Sequence, residues 1–208
     1  IPMNKDAVFR IASQTKAITS TAVMMLWEEG QFQLDDNISK YIPEFGEAQI
    51  LDTFNETDGT YTTKPAKNQI TIRDLLTHTS GIGYGVIDGD ERFKKIYAKA
   101  SVTDLFTTGY FIEVISGVPF DEFLKTRIFE PLNMKDTWFY QPKENYNRLV
   151  AVQKKENEKW IKYPVTFYDT DYPIKGAKTF FSGGAGLSST AKDYATFLQM
   201  YLNEGELK

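Results

Sequence analysis

The clearest hydrophobic pattern in the chain lies in residues 12–29, where apolar side chains recur at every third or fourth position. Ile18, Ala22 and Leu26 fall on one face of a helix with this spacing. Gly30 follows directly, and glycine is the residue that most often ends a helix. The pattern therefore predicts one long helix at the start of the chain.

Shorter segments show either helical or strand periodicity. Helical spacing of apolar residues predicts helices over residues 70–77, 110–115, 120–128 and 193–202. β-Branched and aromatic residues predict strands over residues 138–140, 149–153 and 160–168. Thr71, with Asp74 three positions later, predicts a capped N-terminus for the helix of residues 70–77. Residues 52–69 are polar and predict a loop or an irregular hairpin.

Length and composition narrow the possible classes of protein. The 208 residues carry 24 basic and 28 acidic side chains, a net charge of −4, and are 41% hydrophobic. This balance is typical of a globular chain and argues against a nucleic-acid scaffold, which usually carries a basic stripe. No apolar run approaches the ~20 residues that a membrane-spanning helix needs. The absence of cysteine excludes thiol nucleophiles, disulfides and cysteine-ligated metals.

Two loops carry residue types that bind ligands in other proteins. Residues 182–186 are glycine-rich but lack the lysine of a phosphate-binding loop. Asp88, Asp90 and Glu91 suggest a calcium site, although the ligand spacing and the closing glutamate of an EF-hand are absent. We favour a flexible, solvated acidic loop for residues 83–90.

His78 is the single histidine, so a site that needs two imidazoles is excluded. A Ser–His–Asp triad lacks support, because the chain has no G-x-S-x-G motif to present its serine. His78 lies between Thr77 and Thr79 at the end of a short predicted helix. We therefore expect a partly buried, hydrogen-bonded histidine with a structural role, and keep the triad as the less favoured alternative.

The pattern Ser-x-x-Lys occurs twice, in residues 13–16 and in residues 189–192. About one match is expected by chance in a chain of this size, so the surroundings of each copy decide its meaning. In the second copy, Thr190 and Asp193 form a helix capping box, which assigns Ser189 to the start of a helix. The first copy stands at the first turn of the long predicted helix.

Ser13 and Lys16 have the spacing that a nucleophile and its base require. Three positions apart on a helix, their side chains share one face and lie close enough to exchange a proton. Burial and the positive end of the helix both disfavour the ammonium form of Lys16. A neutral Lys16 can accept the proton of Ser13 as the hydroxyl attacks a carbonyl. On spacing alone, an N-capping serine with an incidental lysine explains the pair equally well.

Four longer stretches place the first motif in a wider pattern: FRIASQTK at residues 9–16, TIRDLLTHTSG at 71–81, IFEPLNM at 128–134 and GGAGLSST at 183–190. In order and spacing they resemble the serine β-lactamase-like hydrolase family. That family includes class C β-lactamases, D-Ala-D-Ala peptidases and related esterases. The resemblance implies an α+β fold of the β-lactamase/transpeptidase type, in which helices flank an antiparallel sheet and a helical lobe accompanies it.

The same resemblance implies roles for several residues. Ser13 would be the acylated nucleophile, with Lys16 as its proton partner and its own backbone N–H as half of an oxyanion hole. Gly184 and Ala185 would approach the substrate, a small ester, an amide or a peptide-like molecule. No metal, no cofactor, no nucleic-acid partner and no membrane span are expected. Many relatives act in the periplasm or outside the cell, which slightly favours such a location.

Two motifs of the family are missing from their expected places. The only tyrosine two positions before an asparagine or a serine is Tyr201, which lies in the last predicted helix and is interpreted as a core residue. Lys178 begins a sequence that imitates the family's third motif but comes too early. Relatives carry a longer segment where Thr108 meets Gly109. We therefore expect a single domain over residues 1–208 that lacks an internal segment at this junction and a C-terminal portion.

These observations favour a serine hydrolase that works through an acyl-enzyme, either an esterase or a β-lactamase-like enzyme. The alternative is a non-catalytic relative that keeps the fold for binding or assembly. The missing tyrosine would normally assist proton transfer, so this chain alone is expected to be inactive. If the encoded protein itself lacks the junction segment, the non-catalytic alternative is favoured.

Overall fold

The computed structural model describes residues 4–85, 89–100, 108–166 and 169–206. Helices and short antiparallel strand pairs are the regular elements of these residues. The helices are α1 Thr15–Glu28, α2 Ile72–Leu76, α3 Glu91–Lys99, α4 Thr108–Ser116, α5 Phe120–Leu124 and α6 Ala191–Leu202. The strands are β1 Val8–Arg10, β2 Gln49–Phe54, β3 Tyr61–Pro65, β4 Gln153–Glu156, β5 Lys159–Lys162 and β6 Ser188–Thr190. The chain divides into two units, one of Ile1–Ala22 with Val118–Lys208 and one of Val23–Gly117.

In the first unit, β1 and β6 bring residues that are far apart in sequence side by side. The two strands are antiparallel, and Phe9 lies opposite Ser189. Single bridges extend the pair, from Val8 to Leu149 and from Ser188 to Trp138. The core of this unit consists of apolar side chains that are almost fully buried, namely Val8, Ile18, Phe120, Leu124, Leu187 and Phe197.

The strand predictions for this unit are only partly confirmed. The predicted strands of residues 138–140 and 149–153 contribute single bridges, at Trp138 and Leu149. Pro142 follows the first bridge closely, and proline has no N–H with which to continue a ladder. The third predicted strand, residues 160–168, corresponds to β5, which ends at Lys162 because Pro164 follows. Residues 167–168 of that prediction lie outside the described residues.

The second unit contains the hairpin of β2 and β3. Its register shifts between Leu51 and Thr53, so the irregular hairpin foreseen for residues 52–69 is present but begins at Gln49. Phe32, Tyr41 and Phe111 pack edge to face in the same unit, with ring centroids 5.3–6.5 Å apart. Such aromatic contacts stabilise the unit beyond the simple burial of apolar area.

Two helix ends confirm their predicted signals. Gly30, two residues after the end of α1, has φ +74°, and the N–H of Gln31 donates to Leu26 O, which closes the helix. At the start of α2, the Thr71 hydroxyl accepts a hydrogen bond from the N–H of Asp74, whose carboxylate accepts one from the N–H of Thr71. This is the capping box that the sequence predicts.

The predicted helix of residues 120–128 differs in its second half. The α-helix stops at Leu124, and residues 125–129 continue as a π-helical turn in which the N–H of Glu130 donates to Lys125 O. Asn133, with φ +55°, then ends the segment. Asparagine adopts this left-handed conformation more readily than most residues, which explains its place there.

Helix α3 is absent from the sequence-based predictions. Asp90 caps its N-terminus, because its carboxylate accepts a hydrogen bond from the N–H of Arg92. Phe93, Ile96 and Tyr97 occupy one face, and all three are half-buried. A signal was therefore available, an N-cap residue followed by helical spacing, but five charged residues among nine hid the apolar positions.

Candidate active site

Ser13 stands on a short turn between β1 and α1. Residues Ala12–Gln14 form one 3₁₀ turn, and α1 begins at Thr15. Just before the turn, the N–H of Ile11 donates to Leu187 O and so ties it to the segment that precedes β6. Ala12 adopts φ +47°, a left-handed conformation that costs a non-glycine residue about 1–2 kcal/mol. Strain of this kind persists where the surrounding structure fixes the backbone, as it does around functional side chains.

The structure brings Ser13 and Lys16 together. Lys16 Nζ lies 3.1 Å from Ser13 Oγ, within hydrogen-bond distance. The Ser13 side chain is exposed and accessible to a substrate, whereas Lys16 is half-buried. Lys16 Nζ also donates to Gly184 O at 2.8 Å, so a main-chain carbonyl fixes the amine beside the serine.

The glycine-rich segment of residues 183–187 lies against the first turns of α1. The Thr19 hydroxyl donates to Gly183 O at 2.8 Å, and the N–H of Leu187 donates to Thr15 Oγ1 at 3.2 Å. On the other side of the segment, Tyr172 Oη donates to Gly186 O at 3.1 Å. Gly184 and Ala185, which we expect near the substrate, therefore lie on a segment that is anchored at several points.

Gly186 shows why this segment requires glycine. A Cβ atom at this position would lie 2.8 Å from Ser182 O and 2.9 Å from the Phe139 ring, closer than real contacts allow. The N–H of Gly186 also donates to Ser182 O, which closes a tight turn before β6. Gly186 thus serves close packing.

The surroundings of Ser13 also favour negative charge. Its backbone N–H lies in the first turn ahead of a 14-residue helix, where N–H groups point outward and the helix dipole is positive. The N–H groups of a helix's first turn have no intrahelical carbonyl to bond. An oxyanion that forms beside Ser13 could therefore accept a hydrogen bond from the Ser13 N–H.

Two tyrosines near the site escaped the sequence reasoning. Tyr194 of α6 donates from its hydroxyl to Gln14 O at 3.2 Å, one residue after Ser13. Burial raises the pKa of Tyr194, so the phenol stays protonated and acts as a donor at neutral pH. Tyr172 contacts the glycine-rich segment, as described above. Neither tyrosine belongs to a motif. Both lie far from Ser13 in sequence, so no local pattern indicates that they are near it in the fold.

Tyr201 differs from its prediction. It is interpreted from the sequence as a core residue, but 51% of it is exposed. Its ring packs edge to face on Phe197, and its hydroxyl lies 2.6 Å from Thr21 Oγ1. The core position of α6 belongs to Phe197, which is completely buried, and Tyr201 lies one turn further along at the margin of the core.

The expectation of a partly buried, hydrogen-bonded His78 is wrong. The side chain is exposed, and no described residue forms a hydrogen bond with the imidazole. Its backbone, with φ +58°, follows the last turn of α2, where the N–H of Thr79 donates to Asp74 O. This arrangement closes a helix with one left-handed residue. The structural role therefore belongs to the backbone of His78 rather than to its side chain.

The second Ser-x-x-Lys copy has a different structure. Ser189 lies in β6, is fully buried, and is 2.7 Å from Thr137 Oγ1. Thr190, not Ser189, caps α6, since its hydroxyl accepts a hydrogen bond from the N–H of Asp193. A buried serine on a strand cannot meet a substrate, so only the first copy has the geometry of a nucleophile.

The remaining candidate positions hold ordinary surface contacts. Asp90 binds Arg92 and Glu91 binds Lys94, while Asp88 lies outside the described residues. Lys178 lies over the ring of Tyr146. Within the described ranges, no cluster of histidine, aspartate or glutamate has the arrangement of a metal site. No helix among them is long and apolar enough to cross a membrane.

Comparison with known proteins places this geometry in a family. The sequence model of the family described as Beta-lactamase matches residues 1–208. An uncharacterized protein of Mycobacterium tuberculosis, MT1414, is 31% identical over 232 aligned residues, covering 99% of this chain and 56% of its own length. Lovastatin esterase of Penicillium rubens is 27% identical, covering 99% of this chain and 58% of its own length. The chain thus spans about half the length of these curated relatives.

Solved structures agree on the fold. Simvastatin synthase LovD of Aspergillus terreus superimposes with a TM-score of 0.81 at 21% identity, over 99% of this chain and 56% of that protein. At this identity the likeness concerns the fold alone, which is of the β-lactamase/transpeptidase type. Since the family model matches the whole sequence and the fold agrees with it, the chain belongs to the β-lactamase family.

Proposed function

We propose that the chain is the Ser13–Lys16 part of a serine hydrolase that works through an acyl-enzyme. The observation that carries this proposal is the 3.1 Å separation between Lys16 Nζ and Ser13 Oγ on an accessible turn. A nucleophile needs a base within hydrogen-bond reach, and this pair satisfies that requirement. Members of the family are serine hydrolases and acyltransferases, which supports an enzyme.

The proposed reaction has two steps. Ser13 Oγ attacks the carbonyl carbon of an ester or amide while its proton passes to the amine of Lys16, 3.1 Å away. The new ester bond forms as the bond to the leaving group breaks, and the leaving alcohol or amine departs with that proton. Water then attacks the acyl-Ser13 ester, releases the acid and restores the serine hydroxyl. Lys16 carries the proton in both directions.

Main-chain groups support the charge that develops in each step. The carbonyl oxygen of the substrate becomes an oxyanion beside the backbone N–H of Ser13, at the positive end of α1. The segment with Gly184 and Ala185 lies next to Lys16, because Gly184 O accepts a hydrogen bond from its amine. We propose that a substrate lies along this segment and contacts Gly184 and Ala185.

Esters are the first substrate class to test, because a relative that aligns with 99% of this chain is named lovastatin esterase. Short-chain nitrophenyl esters should be hydrolysed by the full-length protein, and a chromogenic cephalosporin tests the lactamase alternative. Turnover of the cephalosporin alone would assign the lactamase reaction instead. Both outcomes require the same nucleophile.

The decisive experiment is covalent labelling of Ser13. The full-length protein is treated with a fluorophosphonate, and intact-mass spectrometry should show one adduct that disappears in Ser13→Ala. Ser116→Ala is the control, because Ser116 Oγ donates within its own helix α4, to Ile112 O at 2.7 Å. A folded full-length protein without an adduct, or an adduct that persists in Ser13→Ala, contradicts the proposal. The first of these results favours a non-catalytic binding or assembly protein.

A further inference from the structure

Three side chains on one face of α1 hold the glycine-rich segment of residues 183–187. Thr15 accepts a hydrogen bond from the N–H of Leu187, Lys16 donates to Gly184 O, and Thr19 donates to Gly183 O. Positions 15, 16 and 19 lie on adjacent parts of one helical face, so a single rigid surface binds the segment. The Thr19 bond serves no purpose in the reaction steps described above.

We propose that Thr19 is a positioning residue, which fixes the Gly184 carbonyl and thereby aligns Lys16 with Ser13. The inference rests on the proposed function, because it assigns a kinetic effect to the Ser13–Lys16 pair. Thr19 touches neither the substrate nor the reacting atoms. It acts through Gly183 O, which accepts its hydrogen bond and precedes the carbonyl that binds Lys16.

The Thr19 hydroxyl is well suited to hold a carbonyl in place. Thr19 is only 3% exposed, and its hydroxyl lies 2.8 Å from Gly183 O. Its Cβ is branched, so the side chain has few rotamers, and the hydroxyl direction is set by the helix. The same hydroxyl is 3.2 Å from Thr15 O, one turn earlier, which restricts it further.

The anchored carbonyl and the one that binds Lys16 are neighbours. Gly183 O and Gly184 O belong to consecutive peptide units, and glycine backbones otherwise have wide conformational freedom. Fixing Gly183 O therefore restricts the orientation of Gly184 O. A long lysine side chain loses alignment when an acceptor that it binds moves. Gly184 O accepts a hydrogen bond from Lys16 Nζ, which lies 3.1 Å from Ser13 Oγ.

The test removes the Thr19 hydroxyl while keeping the shape of the side chain. In Thr19→Val, Gly183 O loses its donor, whereas Thr19→Ser retains one. Thr21→Val is the matched control, because Thr21 also donates one turn back, to Ala17 O at 2.8 Å, but lies away from the segment. Hydrolysis of a nitrophenyl ester by the full-length protein is measured, with active enzyme counted by fluorophosphonate titration.

We expect kcat of Thr19→Val to fall by about 10- to 100-fold, the scale of a misplacement of 1 Å or less, while KM stays within about twofold. Thr19→Ser should recover most of kcat, and Thr21→Val should equal the wild type. A role confined to stability would lower the titrated amount of enzyme instead and leave kcat per active molecule unchanged. An unchanged kcat per active molecule, with or without a rise in KM, overturns the proposal.

Two further variants keep the outcome decisive. If Thr19→Val does not fold, Thr19→Cys replaces it, since a thiol is a weak donor, and kcat equal to that of Thr19→Ser contradicts the proposal. Ser13→Ala is measured in parallel. Activity that survives Ser13→Ala refutes the Ser13–Lys16 pair and the role of Thr19 with it. Activity that is lost in Ser13→Ala but kept in Thr19→Val refutes the role of Thr19 alone.

Discussion

At the scale of single residues, identical motifs have different meanings because of where the fold puts them. Ser13 lies exposed on a turn with Lys16 beside it, whereas Ser189 is buried on β6. Helical spacing was enough to predict that Ser13 and Lys16 meet. The contact of Lys16 with Gly184 O was not predictable, because it joins positions 168 residues apart and no local pattern records such a pairing.

Lys16 provides the first prediction. Lys16→Met removes the amine but keeps a flexible side chain of similar length, so the protein should fold while acylation of Ser13 slows by about 10²–10⁴-fold. The rate of fluorophosphonate labelling, followed by intact mass, measures the change. Lys192→Met is the control, because Lys192 is the exposed lysine of the second copy and should label at the wild-type rate. Labelling of Lys16→Met at that same rate would remove Lys16 from the mechanism.

The second prediction concerns His78. Its backbone is left-handed, a conformation that glycine adopts at no steric cost. We expect His78→Gly to raise the free energy of unfolding by about 0.5–1 kcal/mol, measured by urea titration, and to leave ester turnover per folded molecule unchanged. His78→Ala keeps the steric conflict and should gain nothing. Loss of turnover in both variants would instead support a triad that uses the imidazole.

At the scale of elements, helices were predictable where their ends carry chemical signals. The capping box of Thr71 with Asp74 and the glycine after α1 both act within a few residues of the chain. The strands of residues 138–140 and 149–153 depend on partners far away in sequence, β6 and β1. Strand propensity indicates which residues suit a β-sheet, but it does not determine how many residues pair with the neighbouring strand.

Gly186 allows a prediction at this scale, because its segment joins the site to β6. In Gly186→Ala the new methyl group meets Ser182 O and the Phe139 ring, so we expect a loss of about 1–3 kcal/mol in unfolding free energy and a lower kcat. Gly89→Ala is the control, since no atom of the described part of the chain lies within 4 Å of a Cβ at that position. Thermal melts and ester hydrolysis of the two variants provide the comparison. Equal stability of both would mean that the segment shifts to accept the methyl group.

At the scale of the whole molecule, the relatives are longer than this chain within the aligned region as well as beyond it. The alignment with the Mycobacterium tuberculosis protein spans 232 positions, 24 more than the 208 residues of the chain. We propose that these additional positions belong where Thr108 meets Gly109, the junction at which the sequence predicts a missing segment. We predict that the encoded sequence carries at least about 20 further residues at this point, a tyrosine among them. Sequencing the gene across this junction tests the prediction. A gene in which the codon for Gly109 directly follows that for Thr108 would refute the prediction.

Acid sensitivity of the first unit follows from a network around Asp136. Its carboxylate accepts two hydrogen bonds of 2.7 Å from Arg148, whose Nε donates to Asp6 O, and the N–H of Asp136 donates to the Asp193 carboxylate. The hydrogen bonds from Arg148 hold the pKa of Asp136 below its usual value of 3.8. Because the folded state favours the ionised carboxylate, Asp136 stabilises the fold fully at pH values above 3.8. This contribution is lost as the pH falls through the lowered pKa.

Asp136→Asn tests this dependence. The variant should be less stable than the wild type near pH 7, and the difference should narrow as the pH falls below 3.8 and through the lowered pKa of Asp136, where the wild-type carboxylate becomes protonated. Urea titrations at several pH values measure the free energies of unfolding. Asp52→Asn serves as the control, because the Asp52–Lys64 pair is exposed and such pairs contribute little at any pH. A stability difference for Asp136→Asn that stays constant with pH would show that the carboxylate stabilises the fold by its shape and hydrogen bonds, not by its charge.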